Sequence, residues 1–199
     1  MRRTVLLVVV MAAVLVMASG VALALNKIGT NGPDTLRGTN GDDNLIGKGG
    51  GDILLALAGD DTLLGGRGKD VVNGGSLAQP LGGHKNLVGG RGNDAVQGGL
   101  GSDNMVGGDG KDFMVGGEFE PPAAKDILSA GAGSDMIAVF NRPAAKDVVT
   151  CGGGFDRVHV DRADVVAPDC ERVFTGLASG EAFFNIAQRF FEGLNPRVF

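Results

Sequence analysis

The chain has 199 residues, with 18 basic and 23 acidic side chains and a formal net charge of −5. Gly accounts for 36 positions, about 18% against an average of about 7%, yet 43% of residues are apolar and no three-residue glycine period runs through the chain; a disordered polar chain and a collagen are both excluded. With no Trp, no Tyr and an acidic balance, the chain lacks the stacking surfaces and positive charge of a nucleic-acid binder, whereas cations suit it.

Residues 1–24 read as a secretory signal peptide. Arg2 and Arg3 precede an apolar run over residues 5–17, and Ala22-Leu23-Ala24 forms a small-residue cleavage site of the A-x-A kind. The alternative is an uncleaved anchor, because the apolar stretch extends to Leu25 and approaches the about 20 residues that span a bilayer. The cleavage site favours a secreted, extracellular mature protein that does not span the membrane. Export to an oxidising compartment leads us to expect a disulfide between Cys151 and Cys170, the two cysteines of the chain.

From residue 29 a nine-residue period takes over. Asp34, Asp43, Asp52, Asp61 and Asp70 recur at intervals of nine, each followed two residues later by Leu36, Leu45, Leu54, Leu63 or Val72 and preceded two residues earlier by Gly32, Gly41, Gly50, Gly59 or Gly68. After an interruption the same pattern returns around Asp94, Asp103 and Asp112, giving eight units of the form G-G-x-G-x-D-x-U-x, where U is a large aliphatic residue. The glycines suit turns through positive φ. The x-U-x portion is a minimal strand whose central side chain points inward, so Leu36, Leu45, Leu54 and Leu63 would form an aliphatic ladder. Turn propensity accounts for Asp and Gly as residue types, but not for their common phase.

These units resemble the calcium-binding nonapeptide of the RTX, or hemolysin-type, repeat family of secreted bacterial proteins. The resemblance covers residues 29–115 and continues weakly to about residue 159. It implies an all-β fold, a parallel β-roll solenoid in which two units make one coil, with Asp34, Asp52 and Asp70 along one edge and Asp43 and Asp61 along the other. It further implies several calcium ions, each shared between two turns on the same side, with Asp34, Asp43, Asp52, Asp61, Asp70, Asp94, Asp103 and Asp112 as metal ligands. The physical sense is clear: like charges on coils about 5 Å apart need a counter-charge, and calcium accepts carboxylates and the carbonyls of glycine turns together. Magnesium, with its tighter octahedral demand, suits such turns less well.

The regular pattern has two interruptions. Residues 74–88 replace a nine-residue unit with fifteen residues; Leu87 keeps the U position, but Lys85 stands where aspartate belongs, so no cation site is expected at that turn. Ser76 and His84 read as loop residues and not as parts of a hydrolytic set. Beyond Gly117 the pattern decays and then echoes itself in Pro122-Ala123-Ala124-Lys125-Asp126-Ile127-Leu128 and Pro143-Ala144-Ala145-Lys146-Asp147-Val148-Val149. Between these, Asp135 retains its glycines and is expected to be a ninth metal ligand. Asp126 and Asp147 lack the glycine turn and are expected to bond nearby backbone or neighbouring lysines.

The last recognisable turn spans residues 151–158, and a Cys151–Cys170 bridge would pin this final coil and protect its open edge. Over 177–194, Phe183, Ala187, Phe190, Phe191 and Leu194 fall on one helical face, which reads as a short amphipathic helix capping the solenoid. The organisation expected is therefore a signal peptide at 1–24, a calcium-binding roll at 25–175 and a C-terminal cap at 176–199.

No catalytic residues are expected. His84 and His159 are the only histidines, so an H-E-x-x-H zinc motif is impossible, and no G-x-S-x-G element occurs. The function expected is a secreted calcium-binding repeat protein, a structural, surface or adhesive module with a cell-surface or matrix partner. The rival is a carbohydrate-active enzyme, or a sugar- or ice-binding surface, built on the solenoid. Exposed Trp or Tyr would favour sugar, and a Thr ladder would favour ice; the positions after successive aspartates are instead Thr35, Asn44, Ile53, Thr62 and Val71.

Overall fold

Each x-U-x portion becomes a strand, and in alternate units the strand runs on into the following glycines. One set of strands comprises β1 (Asn26–Ile28), β3 (Asn44–Gly49), β5 (Thr62–Arg67), β7 (Asn86–Arg91), β9 (Asn104–Asp109), β11 (Ile127–Ala132), β13 (Val148–Gly153) and β15 (Val165–Val166). The other comprises β2 (Thr35–Arg37), β4 (Ile53–Leu55), β6 (Val71–Asn73), β8 (Ala95–Gln97), β10 (Phe113–Val115), β12 (Met136–Val139), β14 (Arg157–Val160) and β16 (Arg172–Thr175). These coordinates come from a computed structural model that describes residues 24–75, 82–116, 124–139 and 144–175. Except for Ala24, the expected signal peptide at 1–24 and cap at 176–199 lie outside the described residues.

The odd strands form one eight-stranded parallel sheet in sequence order, and the even strands form a second. Two units thus complete a coil, and the fold is the all-β parallel β-roll anticipated from the repeats. Pairing puts every U residue beside the U residue of the next coil: Leu45, Leu63, Leu87, Met105, Leu128 and Val149 in one sheet, and Leu36, Leu54, Val72, Val96, Met114, Ile137 and Val158 in the other. Both rows are wholly buried except Leu36, on the first coil, at 8% exposure. Burying a leucine side chain contributes about 2 kcal/mol, so each coil holds two such contributions and depends on its neighbours for more.

Register survives the interruptions. Leu63 still pairs with Leu87, and Val72 with Val96, because a slip of one residue would turn the aliphatic row toward solvent. Beyond the regular units, Ile127 and Val148 pair in step with Asn104, so the P-A-A-K-D-[IV]-[LV] echoes are further coils of the same roll.

Turn geometry explains the glycines at the fourth position. Gly68 and Gly92 have φ of 138° and 139°, and a Cβ on Gly92 would overlap the carbonyl oxygen of Gly68 on the adjacent coil. Positive φ also recurs at the second position, where Lys48 (81°) and Leu57 (88°) carry side chains in a conformation that favours glycine.

At the C-terminal end, Cys151 on β13 is joined to Cys170 with a Cα–Cα distance of 5.2 Å, as anticipated. The bridge ties β13 to the turn preceding β16, and the Gly152 N–H donates to Asp169 Oδ2 at 2.9 Å beside it. On β14 and β16, His159 stacks on Phe174 with ring centroids 4.6 Å apart. At the opposite end, Lys27 on β1 donates from Nζ to the Arg37 carbonyl on β2 at 2.8 Å, which places charged side chains on both terminal strands.

Two outcomes follow from these features. Leu57→Gly relieves the left-handed strain and should raise unfolding stability by about 1 kcal/mol, measured by denaturant titration in saturating calcium. Reducing the Cys151–Cys170 bridge, which spans a separation of 19 residues, should lower stability by about 3 kcal/mol in the same measurement.

Candidate metal site

The aspartate at the sixth position of each unit stands at the point where turn becomes strand, and its backbone is fixed on both sides. The Asp52 carbonyl accepts from the Val71 N–H of the next coil at 2.8 Å. The Asp34 N–H donates to Asp52 Oδ1, Asp52 N–H to Asp70 Oδ1, and Asp70 N–H to Asp94 Oδ1, each at 2.8 Å. The ladder continues through Asp94, Asp112, Asp135 and Asp156 to Glu171. A second ladder on the other edge runs from Asp43 to Asp61 and, after Lys85, through Asp103, Asp126 and Asp147 to Asp164.

All nine aspartates singled out from the sequence therefore lie in the two rows: Asp34, Asp52, Asp70, Asp94, Asp112 and Asp135 in one, and Asp43, Asp61 and Asp103 in the other. Asp126, Asp147, Asp156, Asp164 and Glu171 extend these rows and were not selected. Asp126 and Asp147 do bond backbone, as expected, but their partners are the N–H groups of Asp103 and Asp126, the preceding members of the ladder. The signal available for Asp126 and Asp147 was the D-x-U triplet, which survives after the glycine pattern is lost; Asp156 also keeps Gly152 and Gly154, at the positions of the glycines that mark Asp135. His84 lies exposed in its turn, with Nδ1 3.0 Å from the Ser102 carbonyl oxygen.

Each ladder bond engages one carboxylate oxygen and leaves the other. The Oδ2 atoms of Asp52, Asp70, Asp94, Asp103, Asp112, Asp135 and Asp156 are buried with no hydrogen-bond partner. On the first coil Asp34 Oδ2 accepts from the Thr30 N–H at 2.6 Å, so the unsatisfied oxygens lie on the inner coils. Leaving a buried acceptor unmet costs about 1–3 kcal/mol, more when it is charged, and seven such groups in a small domain call for a compensating charge.

Glycine at the first position of the unit lets the carboxylate and a carbonyl of the next coil close in where a side chain would stand. A Cβ on Gly65 would lie 2.6 Å from the Gly89 carbonyl oxygen and 2.7 Å from Asp70 Oδ2; one on Gly89 would lie 2.7 Å from both the Gly107 carbonyl oxygen and Asp94 Oδ2. The absent side chain thus marks a place bounded by a carboxylate oxygen and a carbonyl of the next coil. In the units of Asp61, Asp135 and Asp156 this position is taken by Ala56, Ala130 and Cys151. Among the described residues, no group of three or more His, Cys, Asp and Glu side chains converges. Available donors are therefore one or two carboxylates with backbone carbonyls, an oxygen-only set. Such a set fits a hard cation of high coordination number such as calcium and lacks the nitrogen and sulfur ligands typical of zinc.

Electrostatics agree with a missing positive charge. Burial pushes the Asp94, Asp103 and Asp112 carboxyls up to about 7 and that of Asp70 up to about 6, with ladder hydrogen bonds pulling the other way. Asp52, Asp61, Asp135 and Asp156 are raised by the same cause. At Asp61 the Lys85 ammonium opposes the rise.

This geometry defines a repeat solenoid with carboxylate-lined, cation-accepting edges. Residues 28–55, 46–76 and 86–119 match the family described as RTX calcium-binding nonapeptide repeat (4 copies), and the chain carries the calcium-binding repeats of that family across residues 28–119. No curated protein and no solved structure matches it. Among the described residues no helix is long and apolar enough to cross a membrane.

The carboxyl shifts set a pH dependence. Because the folded, metal-free chain holds these protons more tightly than the unfolded chain, its stability is greatest below about pH 4 and is lost as pH rises through the range up to about 7. Calcium must displace the same protons. Circular dichroism of metal-free protein should therefore show more β structure at about pH 5 than at about pH 8, whereas apparent calcium affinity should fall between about pH 8 and about pH 5.

Proposed function

We propose that the chain is a secreted structural module whose roll is ordered by several calcium ions, with a cell-surface or matrix component as its partner. The ligands are Asp34, Asp43, Asp52, Asp70, Asp94, Asp103, Asp112 and Asp135, together with turn carbonyls; Asp61 already faces the Lys85 ammonium. When bound, calcium supplies the positive charge that two buried rows of carboxylates require. The chain's own residues do the rest: the ladder N–H groups orient each carboxylate, the first-position glycines let it approach a carbonyl of the next coil, and the aliphatic rows exclude water from the interior.

The observation that carries this reading is the series of buried, unpartnered Oδ2 atoms at the same position of successive coils. A turn-forming role would leave such oxygens at the surface, hydrated. Secretion is supported by the signal-peptide pattern at 1–24 and by a disulfide, which persists in oxidising compartments. In this reading the module does no chemistry of its own.

Titrating metal-free protein at neutral pH with calcium, and separately with magnesium, tests the proposal by far-ultraviolet circular dichroism. Calcium should convert a largely unfolded chain into one rich in β structure, and magnesium should do so weakly or not at all. An unchanged spectrum at millimolar calcium would count decisively against metal-coupled folding.

A further inference from the structure

At the junction where the first run of repeats meets the second, the second ladder contains a lysine. Lys85 occupies the aspartate position, and its N–H keeps the backbone pattern by donating to Asp103 Oδ1 at 2.9 Å. Its side chain has no acceptor, so it cannot receive the N–H of Asp61 as an aspartate there would. Instead it folds back toward the preceding coil. The ammonium donates to the Gly59 carbonyl and lies 3.2 Å from Asp61 Oδ2, with side-chain exposures of 1% for Lys85 and 0% for Asp61.

These two contacts are a carboxylate Oδ2 and a turn carbonyl, the same oxygen types that flank the cation-accepting places elsewhere in the rows. The Asp61 unit also departs from its neighbours at the first position. Gly47, Gly65, Gly89 and Gly107 carry no side chain where a Cβ would crowd Oδ2 and a carbonyl of the next coil, whereas Ala56 puts a fully buried methyl at that position. A buried lysine is rare and is kept charged only by close oxygen partners; here both are supplied by the coil before it.

We propose that the Lys85 ammonium is a tethered substitute for one metal ion, filling the cation place between the turn of Asp61 and the turn that follows it, so that this junction is closed without calcium. The proposal rests on the calcium-binding reading of the other turns. It assigns Lys85 two roles: it removes one ion from the stoichiometry, and it ties the coils at the interruption by a contact that needs no calcium of its own.

The full-length mature chain tests this in three forms: wild type, Lys85→Asp and Lys85→Met. Bound calcium is counted by equilibrium dialysis with elemental analysis, and stability is followed by thermal unfolding and hydrogen exchange in saturating calcium. Lys85→Asp should bind one calcium ion more than wild type. Lys85→Met should bind no additional ion and should unfold several degrees lower in saturating calcium, because Asp61 is left buried without a counter-charge. In saturating calcium, hydrogen exchange of β5 and β7 should be faster in Lys85→Met than in wild type. Equal ion counts in wild type and Lys85→Asp would overturn the substitution while leaving calcium binding by the other turns intact. Failure of all three forms to bind calcium would instead overturn the reading beneath it. Should Lys85→Asp not fold, Lys85→Met decides: unchanged melting and exchange would refute the tethered charge.

Discussion

Each aspartate of the rows is shared between two coils. At Asp52, Asp70, Asp94 and Asp112, Oδ1 receives a backbone N–H from the coil before, the carbonyl receives one from the coil after, and Oδ2 remains buried without a hydrogen-bond partner. The hydrogen bonds make the turn geometry repeat, and that repetition carries the next carboxylate to the same place. Stacking of the turns and burial of negative charge are consequently one event. The aliphatic rows cannot offset such burial by themselves, since each coil contributes two large side chains at the U positions. A cation is the economical solution, and the oxygen-only surroundings select a hard one.

Much of this was legible in the sequence because the repeat is a statement about space. An interval of nine with two units per coil places Asp34 over Asp52 and Asp43 over Asp61, and both pairings are found. The U positions were equally plain, since Leu45, Leu63 and Met105 keep their distance from the aspartate even across an insertion. The extent of the rows was not legible. Asp126 and Asp147 follow longer or irregular spacings and lack the glycine turn, whereas the roll retains any unit that preserves aspartate and its aliphatic neighbour. Glu171 was harder still, because it closes a row with a different side chain from an irregular segment. Burial of the carboxylates was also hidden: a sequence shows a polar residue in a turn, and only the coil stacked on each side removes it from water.

The interruptions show how such a fold tolerates irregularity. Extra residues between turns leave the pairing register intact as long as the next D-x-U triplet returns to its place. At Lys85 the tolerance extends to charge, for the lysine keeps the backbone bond and supplies its own cation. At the C-terminal end a covalent bridge replaces neighbouring coils as the constraint, with Cys151 buried in line with the interior positions and Cys170 drawn in from the closing turn. The roll thus uses ions, an ammonium and a disulfide for the same purpose at different points along its axis.

The parallel pairing of every strand with the equivalent strand one coil away has a consequence for cooperativity. In a solenoid each coil touches only its neighbours, so the length that melts as a single unit is set by the weakest interface within it. Where that interface is an exchangeable ion, the melting length becomes a function of ion activity in the surroundings; where it is a side chain or a disulfide, it does not. A chain that mixes the two can shorten or lengthen its rigid portion as the medium changes, with permanent rungs marking where the shortening stops.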